Sequence, residues 1–284
     1  MEKIYSHDFN KNKFLYIRHG ETNFNKDIKL NKKLYFEFKK DLKYLDINLN
    51  EQGIKDAVNC AQILKNFNII DIYSSPLNRC LQTSKIICEQ LNLNNKIIVH
   101  PLLNEIILIF LLLKLIRLKL YFNDFIFDIN EKKIIYNEKF FDWNLYNKLL
   151  DSKYKQNFYF IEYLDNLNIN IIKNIKQEFL NNINNNNKIK ENLINLIKLE
   201  NKKFKKLESL NHLFYRNLQF KKYLRNKYSL DKNINNKILI ITHSNFIKIS
   251  TSQLIYNLKD AGKYFPKDSY QTKNCEILSI NINN

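Results

Sequence analysis

The stretch Phe14-Leu15-Tyr16-Ile17-Arg18-His19-Gly20-Glu21-Thr22 decides the fold of this 284-residue chain. Its β-forming run, Phe14 to Ile17, ends abruptly in Arg-His-Gly. That reads as a buried strand delivering Arg18 and His19 to its C-terminal edge. Gly20 is then expected to let the backbone turn tightly. In open α/β sheets, ligands bind beyond the carboxyl ends of the strands. A histidine beside an arginine at such an edge suits an anion.

Outward from this strand, residues 13–105 repeat one pattern. Asn50 is a helix N-cap with Glu51 in the first turn, where the helix dipole favours an anion. Ile54, Ala57, Ala61 and Leu64 recur at three or four residues and make one apolar face. Ile69 to Tyr73 is a second strand. Ser75 is expected to cap the next helix, with Pro76 at its first position. Leu77, Leu81, Ser84, Ile87 and Leu91 form its inner face. Ile97 to Val99 is a third strand, closed by Pro101. Strand and helix in alternation predict a parallel sheet with helices on its faces. Far downstream, Ile238-Leu239-Ile240-Ile241-Thr242 is another buried strand, ending in His243-Ser244-Asn245 before a helix over 246–256. Cys275 to Ile282 is a final strand.

The expected fold is therefore α/β, a three-layer sandwich with a mostly parallel central sheet. Its core spans residues 1–105 and 236–284, with 1–13 a frayed lead-in and 23–48 a polar and aromatic connection. Residues 106–235 read as a helical, lysine- and asparagine-rich insertion or cap, of low complexity across 181–206. Within it, Phe204, Leu207, Leu210, Phe214 and Leu218 recur at helical spacing, as a packing face does. Ile106 to Leu113 is an uninterrupted apolar run, but Lys114, Arg117 and Lys119 come next within the same stretch. A spanning helix needs about 20 mostly apolar residues, so a buried or interfacial helix is the expectation.

The formal charge is +18, from 46 Lys+Arg against 28 Asp+Glu. The excess sits mainly in 106–235. A basic field concentrates phosphorylated substrates, nucleic acid or anionic membrane; solvated lysines on a helical surface are the reading preferred here. Cys60, Cys80, Cys88 and Cys275 form no Cys-x-x-Cys pair and flank no histidine at zinc spacing. They read as small buried apolar residues in a reducing compartment. The polar N-terminus carries no secretory pattern, and a cytoplasmic protein is the expectation.

If the strands are parallel, Arg18, His19, Arg79, Glu105 and His243 converge on one edge of the sheet. Two histidines, two arginines and a carboxylate suffice to move a phosphoryl group. Arginines present planar forks to phosphate oxygens. One histidine attacks phosphorus and holds it covalently. The other donates to oxygens on which charge spreads. The carboxyl group protonates the leaving alkoxide and later takes a proton from water. Arginine and imidazolium supply the positive charge, so neither metal nor cofactor is expected. His7, His100 and His212 read as structural or solvated.

These residues resemble the histidine phosphatase superfamily, also called phosphoglycerate mutase-like. Arg18-His19-Gly20-Glu21-Thr22 with Asn25 is similar to its motif, in which the histidine becomes phosphorylated. Leu49-Asn50-Glu51-Gln52-Gly53 through Ala57 is similar to its Leu-Thr-x-x-Gly helix start. Ser74-Ser75-Pro76-Leu77-Asn78-Arg79 with Gln82-Thr83 resembles its Ser-Pro-x-x-Arg-x-x-Gln-Thr element. Leu102-Leu103-Asn104-Glu105 resembles the stretch that carries the acid, and Thr242-His243-Ser244 stands where the second histidine does, with Ser244 for the usual glycine. Asn274-Cys275-Glu276 looks like the final strand of one phosphatase-like branch. The resemblance implies His19, Glu105 and His243 as catalytic residues, and Arg18, Asn25 and Arg79 as binders of the substrate phosphate. It implies a histidine acid-type phosphatase, a phosphoric monoester hydrolase acting on a phosphorylated small molecule. Mutases of the family carry a Gly-, Tyr- and Lys-bearing stretch soon after the acid. Ile106 to Leu113 holds none, which favours hydrolysis over the alternative of a phosphoglycerate or bisphosphoglycerate mutase. An alternative of another class is a weakly active or inactive member that binds nucleic acid, anionic lipid or a protein through the basic insertion.

Overall fold

The computed structural model describes residues 4–34, 44, 46–105, 125–128, 133–137, 141–142, 210–231, 233–252, 265 and 269–282. The apolar stretch 106–122, the low-complexity stretch 181–206, Phe204, Leu207 and the side chain of His212 lie outside the described residues. Among the described residues, no helix is long and apolar enough to cross a membrane.

The strands are β1 (Tyr5–Ser6), β2 (Phe14–Arg18), β3 (Asn68–Ser74), β4 (Ile97–Val99), β5 (Phe125–Asp128), β6 (Lys133–Asn137), β7 (Phe141–Asp142), β8 (Asn236–Thr242) and β9 (Ile277–Ile280). The helices are α1 (Asn23–Leu30), α2 (Glu51–Leu64), α3 (Asn78–Gln90), α4 (Leu210–Lys227) and α5 (Ser244–Ser250). Among the described residues, seven strands form one sheet in the order β1-β9-β2-β8-β3-β4-β7. From β2 through β8, β3 and β4 to β7 every pairing is parallel, while β9 runs antiparallel to both β1 and β2. The fold is thus α/β around a mostly parallel sheet.

Period-two alternation explains the layering. Leu15 and Ile17 of β2, Ile72 of β3 and Leu239 and Ile241 of β8 face one cluster, which Ala57, Cys60, Ala61 and Leu64 of α2 and Leu81 and Ile87 of α3 complete. Tyr16, Tyr73, Ile238 and Ile240 face the other, closed by Leu213, Phe220 and Leu224 of α4 and Phe246 and Ile247 of α5. A strand buried on both faces reads as a continuous apolar run, and β8 does. All four cysteines are buried and free.

The structure departs from the sequence expectations in several places. Residues 4–13 are not simply a lead-in: β1 adds an edge strand, pairing Tyr5 with Ile280 and Ser6 with Ser279. The 23–48 connection begins with α1, held by a capping box between Thr22 and Asn25. Ile54 is exposed, and the buried face of α2 is instead Gly53, Ala57, Cys60, Ala61 and Leu64. The helix expected to start at Pro76 begins at Asn78, with Leu77 as N-cap and no side-chain cap bond. The helix expected over 246–256 is described as Ser244–Ser250, and the last strand is Ile277–Ile280 rather than Cys275 to Ile282. Within 106–235, expected to be helical, the described residues hold α4 together with β5, β6 and β7. The β5 and β6 sequences, FIFD and KIIYN, are rich in aromatic and β-branched residues, which favour strands.

Candidate active site

The register of β2 on β8 builds the centre of the site. Arg18 pairs with Thr242 across this parallel ladder. The next residues along each chain, His19 and His243, therefore leave neighbouring strands about 4.8 Å apart. Their rings sit with centroids 5.3 Å apart. The His19 backbone N–H donates to the Thr242 carbonyl at 3.1 Å, which extends the ladder one step past the strand ends. On the far side of β8, β3 ends at Ser74, and the Ser75 N–H donates to the Ile241 carbonyl at 3.0 Å.

Arg79, in the first turn of α3, spans the two imidazoles. Its Nε donates to His19 Nε2 at 3.2 Å, and its Nη2 lies 3.2 Å from His243 Nδ1. A guanidinium can only donate, so both ring nitrogens accept. The other nitrogens then carry the protons. His19 Nδ1–H donates to the Gly20 carbonyl at 2.8 Å, and His243 Nε2–H to Ser75 Oγ at 2.8 Å. His19 thus holds its Nε2 lone pair toward the guanidinium, the tautomer a nucleophile needs.

Burial, reinforced by the positive charges of Arg79 and Arg18, holds His19 well below the usual histidine range. Burial and Arg79 do the same to His243. Arg18 donates from Nη1 to the Thr272 carbonyl at 2.8 Å, and its buried Nε finds no acceptor among the described residues. Glu105 comes after the 3-10 turn Pro101–Leu103 that succeeds β4, with Oε2 3.9 Å from His243 Nδ1. Two half-buried guanidinium groups beside two buried imidazoles suit a doubly charged anion by planar-fork recognition. Among the described residues, no group of three or more His, Cys, Asp or Glu could hold a metal ion.

The residues singled out by sequence are brought together unevenly. His19, Arg79, His243 and Glu105 meet at one edge, with Arg18 beside them. Asn25 sits in the α1 cap: its N–H donates to Thr22 Oγ1, and its Oδ1 accepts from Thr22 N–H at 3.2 Å and from Asn274 Nδ2 at 3.4 Å. The cap uses the amide oxygen, which also accepts from Asn274. Ser75, expected only to cap a helix, is the partner of His243. Thr83 accepts from Gly20 N–H at 3.0 Å and donates to the Arg79 carbonyl at 2.7 Å, so one hydroxyl ties the His19 loop to the Arg79 turn. Asn274 Nδ2 donates to the His19 carbonyl at 3.0 Å. The motif spacing marks Thr83, and the resemblance marks Asn274 only as part of a final strand, not as a partner of His19. His100 is structural: it is fully buried, and its Nδ1 accepts from Leu102 N–H at 3.2 Å. His7 lies at the surface, 3.9 Å from Glu276.

The buried imidazoles set an acid limit on stability. Burial lowers His100 to about 3, and His19 and His243 are also held neutral. Unfolded, each takes a proton as pH falls through about 6.5. The unfolded chain then binds more protons than the folded one, so stability is full above pH 6.5 and falls below it. Between pH 6 and 5, urea unfolding should show a loss approaching about 4 kcal/mol per pH unit from the three groups together. His100→Asn, whose side-chain oxygen can still accept from Leu102 N–H, should remove about a third of that slope. An unchanged slope would show that His100 does not titrate on unfolding.

The sheet defines an α/β protein, and its edge brings two histidines and two arginines together. Residues 14–108 match the family model of the histidine phosphatase superfamily (branch 1). No curated protein matches the chain. Among solved structures, it is similar to an ecdysone phosphate phosphatase from Bombix mori in complex with tungstate, at 14% identity and TM-score 0.43, covering 93% of this chain and 86% of that one. It is also similar to a phosphoserine phosphatase from Entamoeba histolytica in complex with phosphoserine, at 18% identity and TM-score 0.38, covering 93% and 87%. A mycobacterial glucosyl-3-phosphoglycerate phosphatase matches at 14% identity and TM-score 0.40, covering 84% and 76%.

Proposed function

We propose that the protein is a histidine acid-type phosphatase that hydrolyses small phosphomonoesters through a phosphohistidine on His19. The observation that carries this is Arg79 bridging His19 Nε2 and His243 Nδ1, each at 3.2 Å. A phosphate entering between the rings takes over the guanidinium N–H groups of Arg79, and those of Arg18, through bidentate bonds. The lone pair on His19 Nε2 is then released toward phosphorus. Asn25 Nδ2 adds a further donor to the same oxygens.

In the first step the Nε2–P bond forms and the bond from phosphorus to the ester oxygen breaks. The protonated carboxyl of Glu105 gives its proton to that oxygen, and the alcohol leaves. In the second step water attacks the phosphohistidine. Glu105, now a carboxylate, takes the water proton, the P–N bond breaks, and its electron pair returns to Nε2. The dianion's charge favours a proton on His243, which then donates to the oxygens on which charge develops. The positive charge for both steps comes from Arg18, Arg79 and His243, so the scheme calls for no metal. The α/β core of 1–105 and 236–284 carries all six residues. The sequence 106–113, without the stretch that mutases carry, favours release of phosphate over its return to a second hydroxyl.

The test of the acid is leaving-group dependence. Glu105→Gln should slow hydrolysis of an alkyl phosphate by about 10²-fold or more. It should slow p-nitrophenyl phosphate far less, because that leaving group departs as an anion without help. Assays with chelator present separate this chemistry from contaminating metallophosphatases. Equal losses on both substrates would remove Glu105 from the role.

A further inference from the structure

We infer that Arg216, on α4, is a positioning residue that fixes the loop carrying Glu105. This deepens the phosphatase reading and rests on it. Arg216 lies on the buried face of α4 with Leu213, Asn217, Phe220 and Leu224, and is only 6% exposed. Its Nη1 donates to the carbonyls of Leu102 at 2.5 Å and Asn104 at 3.1 Å, and its Nη2 to that of Glu105 at 3.4 Å. The intervening carbonyl, Leu103, accepts from Thr242 Oγ1 at 2.8 Å. Four successive carbonyls leading into the acid are therefore fastened, three by one guanidinium and one by the residue preceding His243. The end of a 3-10 turn leaves such carbonyls without partners in its own backbone, and here a cation from 111 residues further on supplies them. The guanidinium also lies over the Phe246 ring, 5.9 Å from its centroid, which limits its rotation.

This geometry separates Arg216 from the phosphate-binding arginines. Its donors point at the backbone of the acid loop, so it acts through Glu105. The planar fork reaches the three carbonyls from two nitrogens held in one rigid plane. A lysine ammonium is a point donor on a flexible stem, so Arg216→Lys keeps the charge and loosens the loop.

The experiment compares Arg216→Met, Arg216→Lys, Glu105→Gln and the double variant Arg216→Met/Glu105→Gln on an alkyl phosphate and on p-nitrophenyl phosphate. Arg216→Met is expected to lose about 10²-fold in kcat on the alkyl ester and less than about tenfold on the aryl ester. The double variant should be no slower than Glu105→Gln, because residues acting as one unit are not additive. Arg216→Lys should show the same leaving-group pattern at a smaller size, and it carries the test if the methionine variant does not fold. Equal losses on both esters, or an additive double variant, would overturn the inference and leave Arg216 a packing residue. If Glu105→Gln discriminates between the esters and the Arg216 variants do not, the inference alone fails. If Glu105→Gln does not discriminate, the acid assignment fails first and takes the inference with it.

Discussion

His19→Ala is expected to reduce aryl phosphate hydrolysis by about 10⁴-fold or more, to the level of background, since removing a nucleophile costs up to about 10⁶ in kcat. In barrier height 10⁴-fold is about 5 kcal/mol. The size of the effect reflects what no neighbour can replace. Ser75 Oγ is engaged with His243 Nε2, and burial pushes the Cys80 thiol far above its ordinary range, so neither offers an anionic nucleophile. His19 itself is prepared by its surroundings. The Gly20 carbonyl fixes the proton on Nδ1, and burial beside two guanidinium groups keeps Nε2 unprotonated. The loss should therefore fall on the chemical step while binding of inorganic phosphate or vanadate survives, because Arg18, Arg79 and His243 remain. Thermal melting with and without vanadate reads that binding directly. The phosphoenzyme should be trappable in the wild type by alkaline quench with labelled substrate, and absent from His19→Ala. Hydrolysis by His19→Ala at a tenth of the wild-type rate would exclude a phosphohistidine on this residue.

The sequence showed most clearly the elements that depend on local periodicity. β2, β3, β8 and α2 are apolar runs or faces with caps, and they stand close to where spacing puts them. The ordered motifs likewise bring His19, Arg79 and His243 to one edge, because in-register parallel strands set their C-terminal loops side by side. The features that escaped reading depend on partners distant in the chain. β1 is two residues long and exists through pairing with β9. Ile54 fits the helical period, yet α2 turns Gly53 inward in its place. Ser75 looked like a helix cap from its neighbours, and only the arrival of β8 makes it a partner of His243. Arg216 is one cation in a lysine-rich region, and nothing local distinguishes it. Its role depends on a turn 111 residues earlier.

Gly53→Ala is expected to damage the protein through a single added methyl group, for a reason opposite to helix propensity. Gly20 invites a turn argument, but neither Gly20 nor Gly53 has a positive φ. Their need for glycine is close approach. A Cβ on Gly53 would meet the Glu21 carbonyl oxygen at 2.1 Å and the Glu21 nitrogen at 2.6 Å. A Cβ on Gly20 would meet the Gly53 carbonyl oxygen at 2.4 Å. The loop that carries His19 is thus laid backbone to backbone on the first turn of α2. Asn50 seals the contact, donating its N–H to the Glu21 carbonyl at 3.0 Å and its Nδ2 to Glu21 Oε1 at 3.2 Å. Alanine in a helix gains about 1 kcal/mol over glycine. Overpacking costs about 1–3 kcal/mol and occasionally more. The clash wins here because the obstructing atoms are backbone and cannot rotate away. Gly53→Ala should lower stability by about 2 kcal/mol net or more, and Tm by roughly 4–8 °C. Activity should fall beyond the share that unfolding explains, since relief of the clash moves Glu21 and with it His19, and about 1 Å of displacement can cost about 10²-fold. Calorimetry and kcat measured well below the Tm check the two parts separately. A Gly53→Ala protein as stable as the wild type would mean the loop has room to withdraw, and that the tight contact is not what aims His19.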